Sequence, residues 1–249
     1  MQIKKAFWAA EGLSFYQAAC AYLRYPHVPF GDVLCQTVQP GDTVMDIGSG
    51  IGAAALYLAP RCARVVAVED DVQALKHLGY NCAQRGAHNV QIVHAAFPDA
   101  GLPVCDVSIA LYVMDAARTI DSARLLLEKT ARQGLLVCNH PAGPPTFHST
   151  LAELLDMPSP RTKCKNGCAS AALLEAAGAR HVQCENIVHD FGQPIADLDA
   201  AARFMLWQMH APAEQLPLVR AHAADFVEKR GDTLYIPMPR SSCVIRFAR

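Results

Sequence analysis

Residues 44–71 decide the fold of this chain: Val44-Met-Asp-Ile-Gly-Ser-Gly-Ile-Gly52, a run rich in alanine, then Arg64-Val-Val-Ala-Val-Glu-Asp-Asp71. The order predicts a strand, a glycine loop, a helix and a second strand that ends in an acid, which is half of a nucleotide-binding α/β unit. The three glycines of the loop leave its backbone bare, so that a ligand can approach it and the next helix can pack tightly on the strand. The stretch therefore predicts a site for a nucleoside.

Two acids indicate which nucleoside this is. Glu69 lies seventeen residues beyond Gly52, at the end of the second apolar run, where a carboxylate can accept both hydroxyls of a ribose. The glycines also satisfy the dinucleotide pattern, which keeps an oxidoreductase with a nicotinamide or flavin cofactor as an alternative. Asp46 disfavours that alternative, because a carboxylate on the strand before the loop suits a ligand with an ammonium group and is unfavourable beside a pyrophosphate.

The segment Asp46-Ile-Gly-Ser-Gly-Ile-Gly52 resembles the first motif of class I S-adenosylmethionine-dependent methyltransferases, whose cofactor carries an ammonium group. With the order of elements along the chain, the resemblance implies one three-layer α/β Rossmann-like domain over residues 1–249. Its sheet is expected to be seven-stranded and mainly parallel, with an antiparallel last strand and extra helices. The implied activity is methyl transfer to a small-molecule acceptor, and a protein that binds the cofactor without catalysis remains a third possibility.

The resemblance places the cofactor at the glycine loop and at the ends of the second, third and fourth strands. The residues expected to bind it are Asp46, Gly48, Ser49, Gly50, Gly52, Glu69, Asp70, Ala96, Phe97 and Leu111. In the family an acid usually follows the third strand and bonds the adenine amino group, but here the stretch is Ala95-Ala-Phe-Pro-Asp99. We expect backbone groups and the Phe97 ring to hold adenine instead, with Asp99 as an alternative.

The acceptor is expected where the fourth and fifth strands end, because ligands of open parallel sheets bind outside the carboxyl ends of the strands. Tyr112 ends the fourth strand and His140 follows the fifth, so these two residues are the predicted catalytic groups. The loop 139–167 is the predicted movable wall of the acceptor site. The end of the fourth strand lacks the Asn or Asp, two prolines and aromatic residue of base-methylating members, which disfavours methylation of nucleic-acid bases.

Three further segments complete the predicted domain. Helices within residues 1–40 form a candidate lid, and the insertions 139–169 and 190–232 are expected near the substrate side or an edge of the sheet. A helix is predicted over residues 121–133, followed by the fifth strand over residues 134–138. At the end of the chain, residues 234–239 and 243–247 resemble a terminal hairpin that completes the sheet.

The composition limits which partners the protein is expected to bind and where in the cell it is expected to be. The net charge is -1 and only 18% of residues are charged, so no global field attracts nucleic acid or an anionic membrane. No apolar run is long enough for a membrane span and the first residues do not resemble a secretion signal, which predicts a cytoplasmic protein. Most of the ten cysteines, Cys184 and Cys243 among them, are expected to be reduced thiols. Cys164 and Cys168 are too few for a structural zinc site, so no metal is predicted.

Overall fold

The structure, a computed structural model, describes residues 10–113, 115–140, 144, 146–158 and 167–249. In chain order the strands are β1 (Thr43–Ile47), β2 (Arg64–Glu69), β3 (Val90–His94), β4 (Cys105–Leu111), β5 (Thr130–Asn139), β6 (Arg180–Asp190), β7 (Gln193–Ile195), β8 (Glu228–Arg230), β9 (Thr233–Ile236) and β10 (Pro239–Ala248). The helices are α1 (Ala10–Leu23), α2 (His27–Thr37), α3 (Ala53–Leu58), α4 (Val72–Arg85), α5 (Ile120–Glu128), α6 (Phe147–Leu154), α7 (Gly167–Ala176), α8 (Leu198–Met209) and α9 (Leu216–His222).

The main sheet has seven strands within the described residues, in the order β3-β2-β1-β4-β5-β10-β6. Strands β1 to β5 pair in parallel with their neighbours, whereas β10 is antiparallel to both β5 and β6. The predicted mainly parallel sheet with an antiparallel last strand is therefore confirmed.

Helices cover both faces of the sheet, which confirms the three-layer prediction. Because side chains alternate along a strand, Val44 of β1 joins a core with α2, α3 and α4, whereas Met45 and Ile47 join a second core with α5 and α7. A third core lies away from the sheet and unites α6, α8 and α9 with β7 and β9. This third core supports one wall of the cavity described below.

Strand β5 begins earlier than its sequence predicts. The helix expected over residues 121–133 ends at Glu128, and Thr130 is already paired with Cys105 of β4. The buried Thr130 Oγ1 donates to the Leu126 carbonyl at 2.6 Å and lies 2.8 Å from Ser108 Oγ. Pairing with the sheet has overridden the local helical pattern of this segment.

The predicted terminal hairpin is wrong in one of its strands. Strand β9 does not join the main sheet; it pairs with β7 and β8 in a separate antiparallel sheet, and β10 alone inserts between β5 and β6. Pro237 follows β9 directly and has no backbone N–H to donate, so that the chain leaves one sheet there and enters the other at Pro239.

The expectation of reduced thiols fails for one pair of cysteines. A disulfide joins Cys184 of β6 to Cys243 of β10, two strands that pair directly. Among the described residues no group of three or more His, Cys, Asp or Glu side chains could hold a metal ion, and Cys164 lies outside those residues. No helix in the described part of the chain is both long and apolar enough to cross a membrane.

Candidate functional site

A cavity of about 720 Å³ lies at the carboxyl ends of the parallel strands, where an open α/β sheet is expected to bind its ligands. Its lining residues come from three parts of the chain: the glycine loop with the end of β2, the end of β4 with the turn after it, and a wall formed by α1, α8 and the segments after β6 and at the start of β10. They are Phe15, Tyr16, Ala19, Tyr25, Gly48, Ser49, Gly50, Glu69, Asp70, Leu111, Tyr112, Val113, Asp115, Arg118, Phe191, Gln193, Phe204, Trp207, Gln208 and Arg240.

The glycine loop takes a backbone conformation that side chains disfavour. The φ angles of Gly48, Gly50 and Gly52 are +66°, +55° and +92°, all in the left-handed region. A Cβ atom on Gly48 would lie 2.4 Å from a Val113 methyl group, and one on Gly52 would lie 2.4 Å from a Leu78 methyl group. Gly48 thus lets the loop approach the turn after β4, whereas Gly52 lets α3 begin against α4.

The carboxylate of Glu69 is held by the backbone of the two loops that it joins. Its Oε2 accepts the Gly50 N–H at 2.8 Å, and its Oε1 accepts the N–H groups of Asp70 at 3.0 Å and Asp71 at 2.9 Å. Burial raises the pKa of Glu69, and the backbone donors oppose that rise. A carboxylate has about four acceptor sites, so that about one remains for a ligand hydroxyl unless a ligand displaces a backbone donor. Glu69 therefore shapes the loop as well as facing the cavity.

Asp46 lies under the loop, on β1, and does not line the cavity. The residue is 2% exposed, and its Oδ2 has no hydrogen-bond partner within the described part of the chain. Burial raises the pKa of Asp46 from 3.8 to about 7, the Ala55 backbone N–H opposes the rise, and the charge of Glu69 adds to it. Ser49 Oγ is likewise buried without a partner among these residues, and Ser49 does line the cavity. Buried polar atoms without a protein partner can bond a ligand or an ordered water.

Tyr112 is fixed on the cavity wall by residues from the far end of the chain. Its Oη lies 2.7 Å from His189 Nε2 on β6 and 2.7 Å from Ser242 Oγ on β10. His189 Nδ1 lies 3.4 Å from the Asp190 carbonyl, so we assign the ring proton to Nδ1 and the acceptor lone pair to Nε2. The backbone of Tyr112 is left-handed, with a φ of +61°, which is unusual for an aromatic residue and holds the ring toward β6 and β10.

Burial keeps both members of the Tyr112–His189 pair neutral. It lowers the pKa of His189 below 6.5 and raises the pKa of Tyr112 above 10.0, an effect that the charge of Arg240 opposes at Tyr112. A neutral imidazole next to a neutral phenol can receive one proton through the phenol. The sequence did not identify His189, Ser242 or Arg240, because no local pattern marks residues brought to one point only by the pairing of β6 with β10.

The wall opposite the glycine loop is aromatic and comes from α1 and α8. Phe15 of α1 meets Phe204 edge-on with ring centroids 5.1 Å apart, and the Trp207 ring at 5.7 Å. None of the described residues of the loop 139–167 lines the cavity. Helix α6 instead packs behind α8, where the ring centroids of Phe147 and Phe204 are 6.2 Å apart. In the described part of the chain, the wall is therefore supplied by the segments 1–40 and 190–232 instead of the predicted loop.

Besides Asp46, four predicted site residues do not line the cavity. Gly52 is used in helix packing, and Phe97 packs against the second core of the sheet with Ala96 exposed beside it. The His140 backbone N–H donates to the Ser241 carbonyl at 2.8 Å, and the residue does not line the cavity. The roles predicted for Ala96, Phe97 and His140 stay predictions.

Comparison with solved structures shows a shared fold. Magnesium protoporphyrin IX methyltransferase from Synechocystis PCC 6803, solved with bound S-adenosylhomocysteine, aligns over 100% of this chain and 98% of its own with a TM-score of 0.60 at 13% identity. The YcgJ protein from Bacillus subtilis aligns over 90% and 98% with a TM-score of 0.60 at 16% identity. An S-adenosylmethionine-dependent methyltransferase from Aquifex aeolicus aligns over 90% and 95% with a TM-score of 0.51 at 13% identity.

No protein-family model matches the sequence, and a sequence search of curated proteins gives no match either. At identities of 13% and 16%, the likeness to these solved structures shows the fold alone. That fold is the Rossmann-like fold of class I S-adenosylmethionine-dependent methyltransferases, as the sequence resemblance predicted.

Proposed function

We propose, from a fold shared with S-adenosylmethionine-dependent methyltransferases, that this protein transfers a methyl group from S-adenosylmethionine to a small-molecule acceptor. One observation carries the proposal: a single cavity joins the glycine loop and Glu69 at one end to Tyr112 and an aromatic wall at the other. Its volume of about 720 Å³ lies within the range of pockets for ligands of drug or cofactor size. The acceptor is held between Tyr112 and that wall.

The residues at the loop end suit a cationic nucleoside. The backbone of Gly48, Ser49 and Gly50 borders the cavity without bulky side chains, and Leu111 closes it at the end of β4. Glu69 and Asp70 place carboxylates on the cavity, and Asp46 places a third below it. These acids favour a ligand with an ammonium and a sulfonium group over a pyrophosphate, whose negative charge they would repel. We assign Glu69 to the ribose and Asp46 to the neighbourhood of the ammonium group.

The protein's own chemical task is to align the acceptor and to receive its proton. S-adenosylmethionine, when bound, supplies a methyl group already activated on sulfur, so that holding the reactants in line provides much of the rate. Tyr112 lines the cavity, and with the assigned tautomer its Oη donates its proton to His189 Nε2. In the proposed transfer, the Tyr112 oxygen takes the acceptor's proton as the phenolic proton passes to His189, which becomes an imidazolium.

Ligand-induced changes in melting temperature test the cofactor. S-adenosylhomocysteine and S-adenosylmethionine are expected to raise the melting temperature in a concentration-dependent way, whereas NAD and FAD are expected to leave it unchanged. Stabilisation by NAD or FAD alone would support the oxidoreductase alternative. In Glu69→Gln the stabilisation by S-adenosylhomocysteine should shrink, because an amide lacks the charge and one acceptor oxygen of the carboxylate.

Turnover separates an enzyme from a cofactor-binding protein. Once an acceptor is found, Tyr112→Phe is expected to lower turnover roughly a hundredfold while the affinity for S-adenosylhomocysteine stays unchanged. Tyr80→Phe is the matched control, since Tyr80 is 63% exposed and lies on the outer side of α4. Equal turnover in both variants would remove Tyr112 from the mechanism, and binding without turnover for any acceptor would favour the non-catalytic alternative.

A further inference from the structure

The acceptor end of the cavity has the surface of a site for flat, apolar molecules. Besides Phe15, Phe204 and Trp207, it is walled by Tyr16 and Phe191, whose rings are 6.0 Å apart. Aromatic faces of this kind bury a planar ligand in stacked or edge-on contacts and gain little from a strongly hydrated one. The wall therefore favours a ligand that contains an aromatic ring system.

One cation interrupts this aromatic wall. The guanidinium carbon of Arg240 lies 4.8 Å from the centroid of the Phe191 ring and 5.8 Å from that of the Tyr112 ring. Within the residues that the structure describes, no ion pair includes Arg240, whereas Arg118, the other arginine on the cavity, pairs with Asp115 at 3.4 Å. An arginine side chain stays charged at every ordinary pH, so that a partly buried guanidinium gains most from an anionic partner.

Arg240 lies on the acceptor side of the sheet. It is the second residue of β10, which is three strands away from β1 and its glycine loop, a distance of roughly 14 Å at the usual strand spacing. The charge of the cavity lining also changes sign in this direction, with the acids Glu69 and Asp70 at the loop end and Arg240 at the far end. A ligand with one negative group is therefore oriented with that group away from the loop.

Resting on the proposed function, we infer that the methyl acceptor is an aromatic carboxylate whose carboxylate is bound by Arg240 and whose ring lies between Phe191 and the α1–α8 wall. A guanidinium group can donate two parallel hydrogen bonds to the two oxygens of a carboxylate. In this pose the opposite edge of the acceptor faces the loop end of the cavity, where the methyl group is supplied. Arg240 thus sets which molecules are accepted.

Calorimetric titration of the full chain, saturated with S-adenosylhomocysteine, tests this inference. The probes are 2-naphthoate and biphenyl-4-carboxylate, each compared with its own primary amide. We expect each carboxylate to bind at least tenfold more tightly than its amide in the wild-type protein. In Arg240→Gln that preference should disappear. In Arg203→Gln it should persist, because Arg203 lies on the exposed side of α8.

The two proposals fail separately in this design. Equal affinity for acid and amide, no binding of either carboxylate, or an unchanged preference in Arg240→Gln would overturn the assignment of Arg240 to the acceptor. A tenfold or larger loss of S-adenosylhomocysteine affinity in Arg240→Gln would also overturn it, by assigning the guanidinium to the cofactor. Failure of S-adenosylhomocysteine to bind the wild type would instead contradict the proposed function, and the titrations repeated without it would still report on Arg240.

Discussion

Replacement of Asp46 by asparagine should stabilise the ligand-free protein at high pH and weaken its hold on the cofactor. The carboxylate is buried with one oxygen unpaired in the described part of the chain, and burial raises its pKa from 3.8 to about 7. Each pKa unit corresponds to about 1.4 kcal/mol, so the ionised form costs the folded protein about 4 kcal/mol. The asparagine avoids that cost but leaves a buried amide N–H without a partner, a loss of about 1–3 kcal/mol.

The pH dependence isolates the charge from the side effects of the asparagine. Because the folded pKa is raised, the stability linked to Asp46 is fully present below the unfolded value and is lost as pH rises toward 7. Between pH 5 and pH 8 the wild type should therefore lose about 2–3 kcal/mol relative to Asp46→Asn. Urea unfolding at a series of pH values measures this difference. Asp121→Asn is the matched control, since the Asp121 side chain is 88% exposed.

The affinity for S-adenosylhomocysteine is the second quantity that Asp46→Asn should change. If the ammonium group of the ligand requires an ionised Asp46, the affinity for S-adenosylhomocysteine should fall as pH drops below about 7, by roughly tenfold per unit. In Asp46→Asn the affinity should be lower at pH 8 and nearly independent of pH. A pH-dependent stability difference below about 1 kcal/mol would refute the assigned burial cost. An affinity that is equal in both proteins would refute the role of Asp46 at the ammonium group.

Three further outcomes are expected. Gly52→Ala should lower the free energy of unfolding by about 1–3 kcal/mol in urea titrations, because the alanine would have to adopt a left-handed φ and its Cβ would collide with Leu78. A variant as stable as the wild type would contradict this. Turnover should fall at acid pH with an apparent pKa below 6.5, the direction in which burial shifts His189, and a pH profile that is flat between 5 and 8 would remove the proton relay. Cys184→Ser should lower unfolding stability by about 2–4 kcal/mol relative to the oxidised wild type and abolish a disulfide peptide containing Cys243 in mass spectrometry; finding both thiols free in the wild type would refute the pairing.

Local chemistry explains why the loop end of the cavity was predictable. A strand, three glycines and an acid at the end of the next strand follow one another within residues 44–71, and backbone geometry alone then brings Gly50 and Glu69 into contact. The parallel sheet was predictable for the same reason, since apolar strands alternating with helices allow few connections. The helix expected to end at Gln133 failed because pairing of Thr130 with β4 is a tertiary contact that the local pattern does not contain.

The sequence by itself determined the fold class, the glycine loop and the acids around it, because each depends on residues close together in the chain. Only the tertiary structure decided the acceptor end of the cavity. Tyr112 meets His189 and Ser242 across 77 and 130 residues, and Arg240 reaches the same wall because β10 inserts between β5 and β6. The register of that insertion depends on long-range strand pairing and packing, which leave no periodic or motif signal at His189, Ser242 or Arg240.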